Sequence, residues 1–148
     1  MTRMRRILFA SDLSKASAKA FATAITLAKA THAEMVILHV LVPFTPLVPE
    51  SYIGGATLDQ INADARQWGV QQLSKLTAKA KSGGVRASGL IMTGDPAGQI
   101  VRTARAKRAG LLVLGTHGRT GLNRLFVGSV AQRVIASARC PVVTVREK

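Results

Sequence analysis

Two patterns alternate along the chain. Short, nearly unbroken apolar runs are separated by longer stretches in which apolar residues recur every three or four positions. The first run is Ile7–Ala10, and Phe21, Ala24, Ile25 and Ala28 then repeat at helical spacing, predicting a helix over about Lys15–Ala30. Ser11, Asp12 and Ser14 precede it as candidate caps. The second run, Met35–Val42, is continuous, as expected of a strand covered on both faces. Pro43, Pro46, Pro49, Gly54 and Gly55 then predict a long loop. Leu58, Ile61, Ala65, Trp68, Leu73, Leu76 and Ala80 mark the face of a long second helix, stopped by Gly83–Gly84.

A third strand is predicted over about Arg86–Thr93. Gly94-Asp95-Pro96 follows, with Asp95 placed to cap a helix over about Ala97–Lys107 and Pro96 at its first position. Ile100, Val101 and Ala104 face inward on that helix. Leu111–Leu114 reads as a fourth strand, and Val142–Arg146 as a fifth. Between them, about Ser129–Ala138 forms a fourth helix with Val130, Val134, Ile135 and Ala138 on one face. Strict strand–helix alternation predicts one α/β domain over residues 1–148, a five-stranded parallel sheet with helices on both faces. Ligands of such sheets bind beyond the carboxyl ends of the strands, where the strand order reverses.

Composition refines this picture. Apolar residues make up 47% of the 148, but aromatics only 4%, so the core is built from Ala, Val, Leu and Ile. A single cysteine, Cys140, excludes an intramolecular disulfide and suits a reducing compartment. The N-terminal apolar stretch is too short for a signal peptide, and no run has the length of a membrane span, so a soluble cytoplasmic protein is expected. The net charge of +14 admits either a solvated basic surface or an anionic partner.

The candidate chemistry gathers at the predicted strand ends. Gly115–Ser129, GTHGRTGLNRLFVGS, combines glycines with a helix start. Gly115 and Gly118 permit close backbone approach, and the free N–H groups after Gly128 favour an anion. Ser129 adds a hydroxyl, and Arg119 and Arg124 add positive charge. On spacing alone, the same glycines also serve as plain turns, Ser129 as an N-cap and the arginines as solvated groups. Asp12 has three roles open to it: helix cap, acceptor for ribose hydroxyls, or partner of a divalent metal. His39, in an apolar strand, reads as a buried, satisfied histidine, and His32 as a surface residue. His117 can face either ligand or water. The chain lacks the Gly-Lys-Ser/Thr of a Walker A loop. The turn after its first strand has no glycine fingerprint for a dinucleotide. No Ser/His/Asp arrangement or Cys/His cluster supports a hydrolase or zinc site, so no catalytic residue is assigned.

Gly115-Thr116-His117-Gly118, nine residues, then Gly128-Ser129 matches the pattern G-x2-G-x9-G-[S/T], and in this the chain resembles the ATP-binding universal stress proteins. RRILFASDLS, MVILHVL, TGDPAGQIV and CPVVTVR resemble further segments of that family in the same order. The resemblance implies the adenine nucleotide alpha hydrolase-like fold, with strand order 3-2-1-4-5, and a homodimer joined through Val142–Arg146. It implies ATP, or ADP or AMP, as ligand, with Mg2+ a candidate companion of the phosphates. It sets Ala10 and Asp12 by the adenosine, with Asp12 at the ribose, and Val40 against adenine. Gly115, Gly118, Gly128, Ser129 and Val130 surround phosphates and ribose. Ser11, Leu114, His117 and Arg119 complete the candidate set. Gly110 departs from the aspartate common in relatives, and Ser11 from their usual Val-Asp pair.

The function expected is a cytoplasmic stress-response protein that binds its nucleotide as a regulatory signal, with slow hydrolysis at most. The alternative is a basic scaffold for nucleic acid or acidic proteins, with Arg102, Arg105, Lys107 and Arg108 as its patch.

Overall fold

The computed structural model describes residues 3–47, 53–116 and 127–146. Its elements are β1 (Arg6–Ala10), α1 (Ser17–Thr31), β2 (Glu34–Leu41), α2 (Gly55–Ser82), β3 (Ala87–Thr93), α3 (Pro96–Ala106), β4 (Leu111–Gly115), α4 (Ser129–Ser137) and β5 (Val142–Val145). The five strands form one parallel sheet in the order β3-β2-β1-β4-β5, as expected. No helix among the described residues is long and apolar enough to cross a membrane.

Side chains of a strand point alternately to its two faces, and the unbroken apolar runs therefore supply two cores at once. Ile7, Phe9, Met35, Ile37, Leu111 and Val113 face α1 and α2. Leu8, Ala10, Val36, Leu38, Leu112 and Leu114 face α3 and α4. On the first face the rings of Phe9 and Phe21 lie 5.6 Å apart at 56°, and Lys79 Nζ sits 5.9 Å over Phe21. Ala20, Ala24 and Ala28 present a nearly bare stripe of α1, which lets that helix lie close to the sheet.

Turn chemistry at the third helix follows the sequence. Gly94 leaves β3 at φ +140, a conformation that side chains rarely adopt. The Asp95 carboxylate accepts from Gly98 N at 2.9 Å, and Pro96 opens the helix. Asp95 also takes a two-pronged contact from Arg133 of α4 at 2.7 and 2.8 Å, tying the two helices together. Those guanidinium bonds, and next the Gly98 amide, hold the Asp95 carboxyl below its usual range.

Four expectations need correction. α1 begins at Ser17 with no side-chain cap, so Ser11, Asp12 and Ser14 do not cap it. α2 begins at Gly55, so it claims the end of the predicted loop. Its face is not inward throughout: Ile61 and Trp68 are about two-fifths exposed, and the first buried residue is Gly69. The reason is length. Twenty-eight residues span roughly 42 Å of helix, whereas the seven residues of β3 span roughly 23 Å. The N-terminal half of α2 therefore runs past the carboxyl ends of the strands. Finally, α4 buries Ala131 and Val134 and leaves Ile135 half exposed, because it meets the protein along a narrower stripe than the sequence spacing suggests.

Candidate functional site

β1 is the central strand, and the chain passes from it to β2 on one side and later to β4 on the other. The order reverses here, which opens a crevice at the carboxyl ends of β1 and β4. The register pairs Ala10 with both Leu38 and Leu114. Asp12, Val40 and Gly115 thus all lie at this edge, as the sequence requires for one site.

The turn after β1 is held by its own side chains. Ser11 N donates to Leu38 O at 2.9 Å, carrying the ladder one residue beyond the strand. The Ser11 hydroxyl is buried, accepts from Leu13 N at 3.0 Å and lies 3.1 Å from the Ser17 hydroxyl. Leu13 adopts φ 64, a left-handed conformation that turns the chain sharply toward α1. Below the turn, His39 is buried, with Nδ1 2.9 Å from Ser11 O. A carbonyl only accepts, so Nδ1 carries the proton. His39 is thus the buried, satisfied histidine expected. Gly69 of α2 packs on it, and a Cβ there would meet His39 Cδ2 at 3.4 Å.

Asp12 divides its two oxygens. Oδ1 accepts from the Ser14 amide and the Ser14 hydroxyl. Oδ2 is buried and has no partner among the described residues. An unsatisfied buried acceptor costs about 1–3 kcal/mol, and native structures hold few of them. This is the chief chemical anomaly of the crevice. A second orphan, Gln99 Oε1, lies near the carboxyl end of β3, where its Nε2 donates to Thr93 O at 3.2 Å. Sequence reasoning did not single out Gln99, because nothing in its spacing marks which way a residue in the first turns of a helix folds back.

The other wall is the stem of the glycine segment. Thr116 is buried and its amide donates to Val145 O at 3.0 Å. Gly128 N donates to Thr116 O at 2.6 Å, so the two ends of the segment are clasped. Gly128 is the N-cap of α4 and Ser129 its first residue, so Ser129 is not the cap. Among the described residues no side chain caps this helix, and its first turn carries no acidic residue. Its leading amides and the positive end of its dipole are therefore open to an anion. Val130 is half-buried and packs against the α3–α4 core. His117, Gly118 and Arg119 lie outside the described residues, as do Gly121 and Arg124.

Of the twelve candidate residues, nine are described, and they converge on one edge: Ala10, Ser11, Asp12, Val40, Leu114, Gly115, Gly128, Ser129 and Val130. Among the described residues no group of three or more His, Cys, Asp or Glu is placed to hold a metal ion.

A family model described as the universal stress protein family matches residues 4–146. A universal stress protein of Methanocaldococcus jannaschii is 36% identical over 97% of this chain and 82% of its own length. Another, of Bacillus subtilis, is 35% identical over 95% and 98%. Two solved structures have the same fold. A universal stress protein in complex with cAMP superposes with TM-score 0.73 at 21% identity, over 99% of this chain and 100% of that one. An Arabidopsis thaliana family member with AMP bound superposes with TM-score 0.65 at 24% identity, over 97% and 92%.

Proposed function

Because this chain belongs to the universal stress protein family, we propose that it binds an adenine nucleotide at the carboxyl ends of β1 and β4, as a regulatory ligand. The observation that carries the reading is Asp12 Oδ2, a buried acceptor left without a donor among the described residues while its sister oxygen is engaged by Ser14. A ribose supplies adjacent hydroxyl donors, and an ionised carboxylate is a strong acceptor for them. The uncapped start of α4 is suited to phosphate, with Ser129 as an added donor. Val40, two residues beyond Leu38 on β2, is the residue we assign to contact the base. Relatives of the same fold have been solved with cAMP and AMP.

ATP is the form we propose, from the glycine pattern spanning Gly115–Ser129. Mg2+ accompanies the phosphates in this reading, held by phosphate oxygens and water, since Asp12 Oδ2 is assigned to the ribose. Binding, rather than turnover, is the role assigned. The described residues supply anion donors, and Asp12 and His117 are the first candidates to orient a water if slow hydrolysis occurs. The protein acts in the cytoplasm in a stress response, as a homodimer through Val142–Arg146. β5 is bonded to β4 on one side only, and an open strand edge invites pairing with a second copy.

The test is chromatography of the small molecules released when the purified protein is denatured, combined with titration of ATP into Gly128→Leu. Gly128 has φ −59 and ψ 157, open to any residue, so the substitution tests close approach of ligand rather than backbone strain. An adenine nucleotide in the released pool and loss of ATP affinity in the variant are expected. Undiminished affinity in Gly128→Leu would overturn the assignment. The basic-scaffold reading predicts instead nucleic-acid binding that is steep in salt and indifferent to ATP.

A further inference from the structure

The charge of the chain is unevenly placed. From position 96 to 146 it has no Asp or Glu, while nine of its basic residues lie in that stretch. The structure gathers five of them around a single cavity of about 480 Å³ between α3 and α4. Arg102, Arg105 and Arg108 come from α3 and its end, Arg133 from α4 and Arg139 from the turn after it. Arg133 is engaged by Asp95, the acidic residue beside the cavity. Among the described residues, no acidic side chain pairs with Arg102, Arg105, Arg108 or Arg139. The floor is small and largely apolar: Val101, Ala104, Ala109 and Cys140.

We propose that this groove is a second ligand site, separate from the crevice at the strand ends, for a small organic anion carrying two or more phosphate groups. Four observations lead there. All five cationic groups are arginines, and guanidinium forks match phosphate oxygens bidentately where an ammonium does not. They stand on both walls, so one ligand bearing several anionic groups can engage them together. The volume falls in the range of small-molecule pockets. The apolar floor accommodates a carbon skeleton beneath the phosphates. Nucleic acid fits less well: no aromatic side chain lines the groove to stack an unpaired base, and a duplex is too wide to enter between two adjacent helices. Sequence alone groups Arg102, Arg105, Lys107 and Arg108. The structure removes Lys107 from the lining and adds Arg133 and Arg139.

Cys140 makes the site testable, because it is the chain's one cysteine and lies on the floor. Its maleimide labelling rate is measured on the full chain, in physiological salt, with inorganic tripolyphosphate as probe. Tripolyphosphate is expected to slow labelling at least five-fold in the wild type and equally in Gly128→Leu, which disables only the strand-end crevice. Arg102→Ala/Arg105→Ala is expected to abolish that protection and weaken calorimetric tripolyphosphate binding about ten-fold, with ATP affinity of the crevice unchanged. Arg102→Lys/Arg105→Lys is expected to fall between the two, since it keeps the charge and loses the fork. Absence of protection in the wild type, or its persistence in the double alanine variant, would overturn the site. Wild-type affinity in the double lysine variant would overturn forked recognition. Equal protection by duplex DNA or polyglutamate at matched charge would overturn the assignment to a small phosphorylated ligand.

Discussion

Replacing Asp12 by alanine separates the cost of the empty site from the gain on binding. In the free protein two effects oppose each other. The substitution removes the bonds from the Ser14 amide and hydroxyl to Oδ1, worth about 0.5–1.5 kcal/mol each, or up to about twice that to a charged acceptor. It also removes the buried, unpartnered Oδ2, whose desolvation costs about 1–3 kcal/mol. The balance is expected to run from about 2 kcal/mol stabilising to about 5 kcal/mol destabilising, the upper end if both bonds have charge-assisted strength. Nucleotide binding has no such compensation. Loss of a charge-assisted bond of about 1.5–3 kcal/mol weakens affinity about 10- to 150-fold. If the loss is about 100-fold, then at ATP a thousand times the wild-type dissociation constant about 2.7 kcal/mol of ligand stabilisation disappears. In a domain of this size that is roughly 5–11 °C of the ATP-induced rise in Tm. The assay is a thermal melt of both proteins with and without ATP. An equal ATP-induced rise in the two refutes the ligand role. A free variant that melts more than about 10 °C below the wild type shows instead that Asp12 holds the turn.

Two further outcomes follow from the surrounding framework. The folded-state acidity of Asp95 is raised chiefly by Arg133, so its contribution to stability is present above the unfolded carboxyl value of about 4 and is lost as pH falls through the lower folded value. Asp95→Asn should therefore melt below the wild type at pH 6, and the gap should shrink below about pH 4; a gap independent of pH contradicts the pairing. Gly69→Ala sets its Cβ 3.4 Å from His39 and 3.5 Å from Ile91, ordinary or slightly close contacts. It should be neutral or stabilise by up to about 1 kcal/mol through helix propensity, whereas Gly69→Leu should cost about 1–3 kcal/mol by overpacking. Chemical denaturation distinguishes them, and tolerance of leucine would show that α2 is free to lift from the sheet.

The fold was legible because the buried strands β1, β2 and β4 are covered on both faces and so read as unbroken apolar runs. Asp95-Pro96 was legible as a helix start because cap and proline act locally. What escaped depends on distances that periodicity does not encode. The apolar spacing of Ile61 and Trp68 is helical, but their half of α2 extends beyond the sheet. Ser11, Asp12 and Ser14 have the composition of caps, yet at the left-handed turn of Leu13 Asp12 is engaged by Ser14, and Ser11 by the Leu13 amide and the Ser17 hydroxyl. The grouping of Arg139 with Arg102 required the packing of α3 against α4.

The backbone bond between Thr116 and Gly128 has a consequence for how this scaffold changes over time. Each end of the intervening segment is anchored independently, one to β5 through Val145 and the other in the first turn of α4. Doubling the length of a closed loop costs only about 0.6 kcal/mol. The segment between the clasped residues can thus be lengthened, shortened or exchanged with little effect on the sheet. Ligand preference and fold stability become nearly separate traits, open to selection, or to grafting, one at a time.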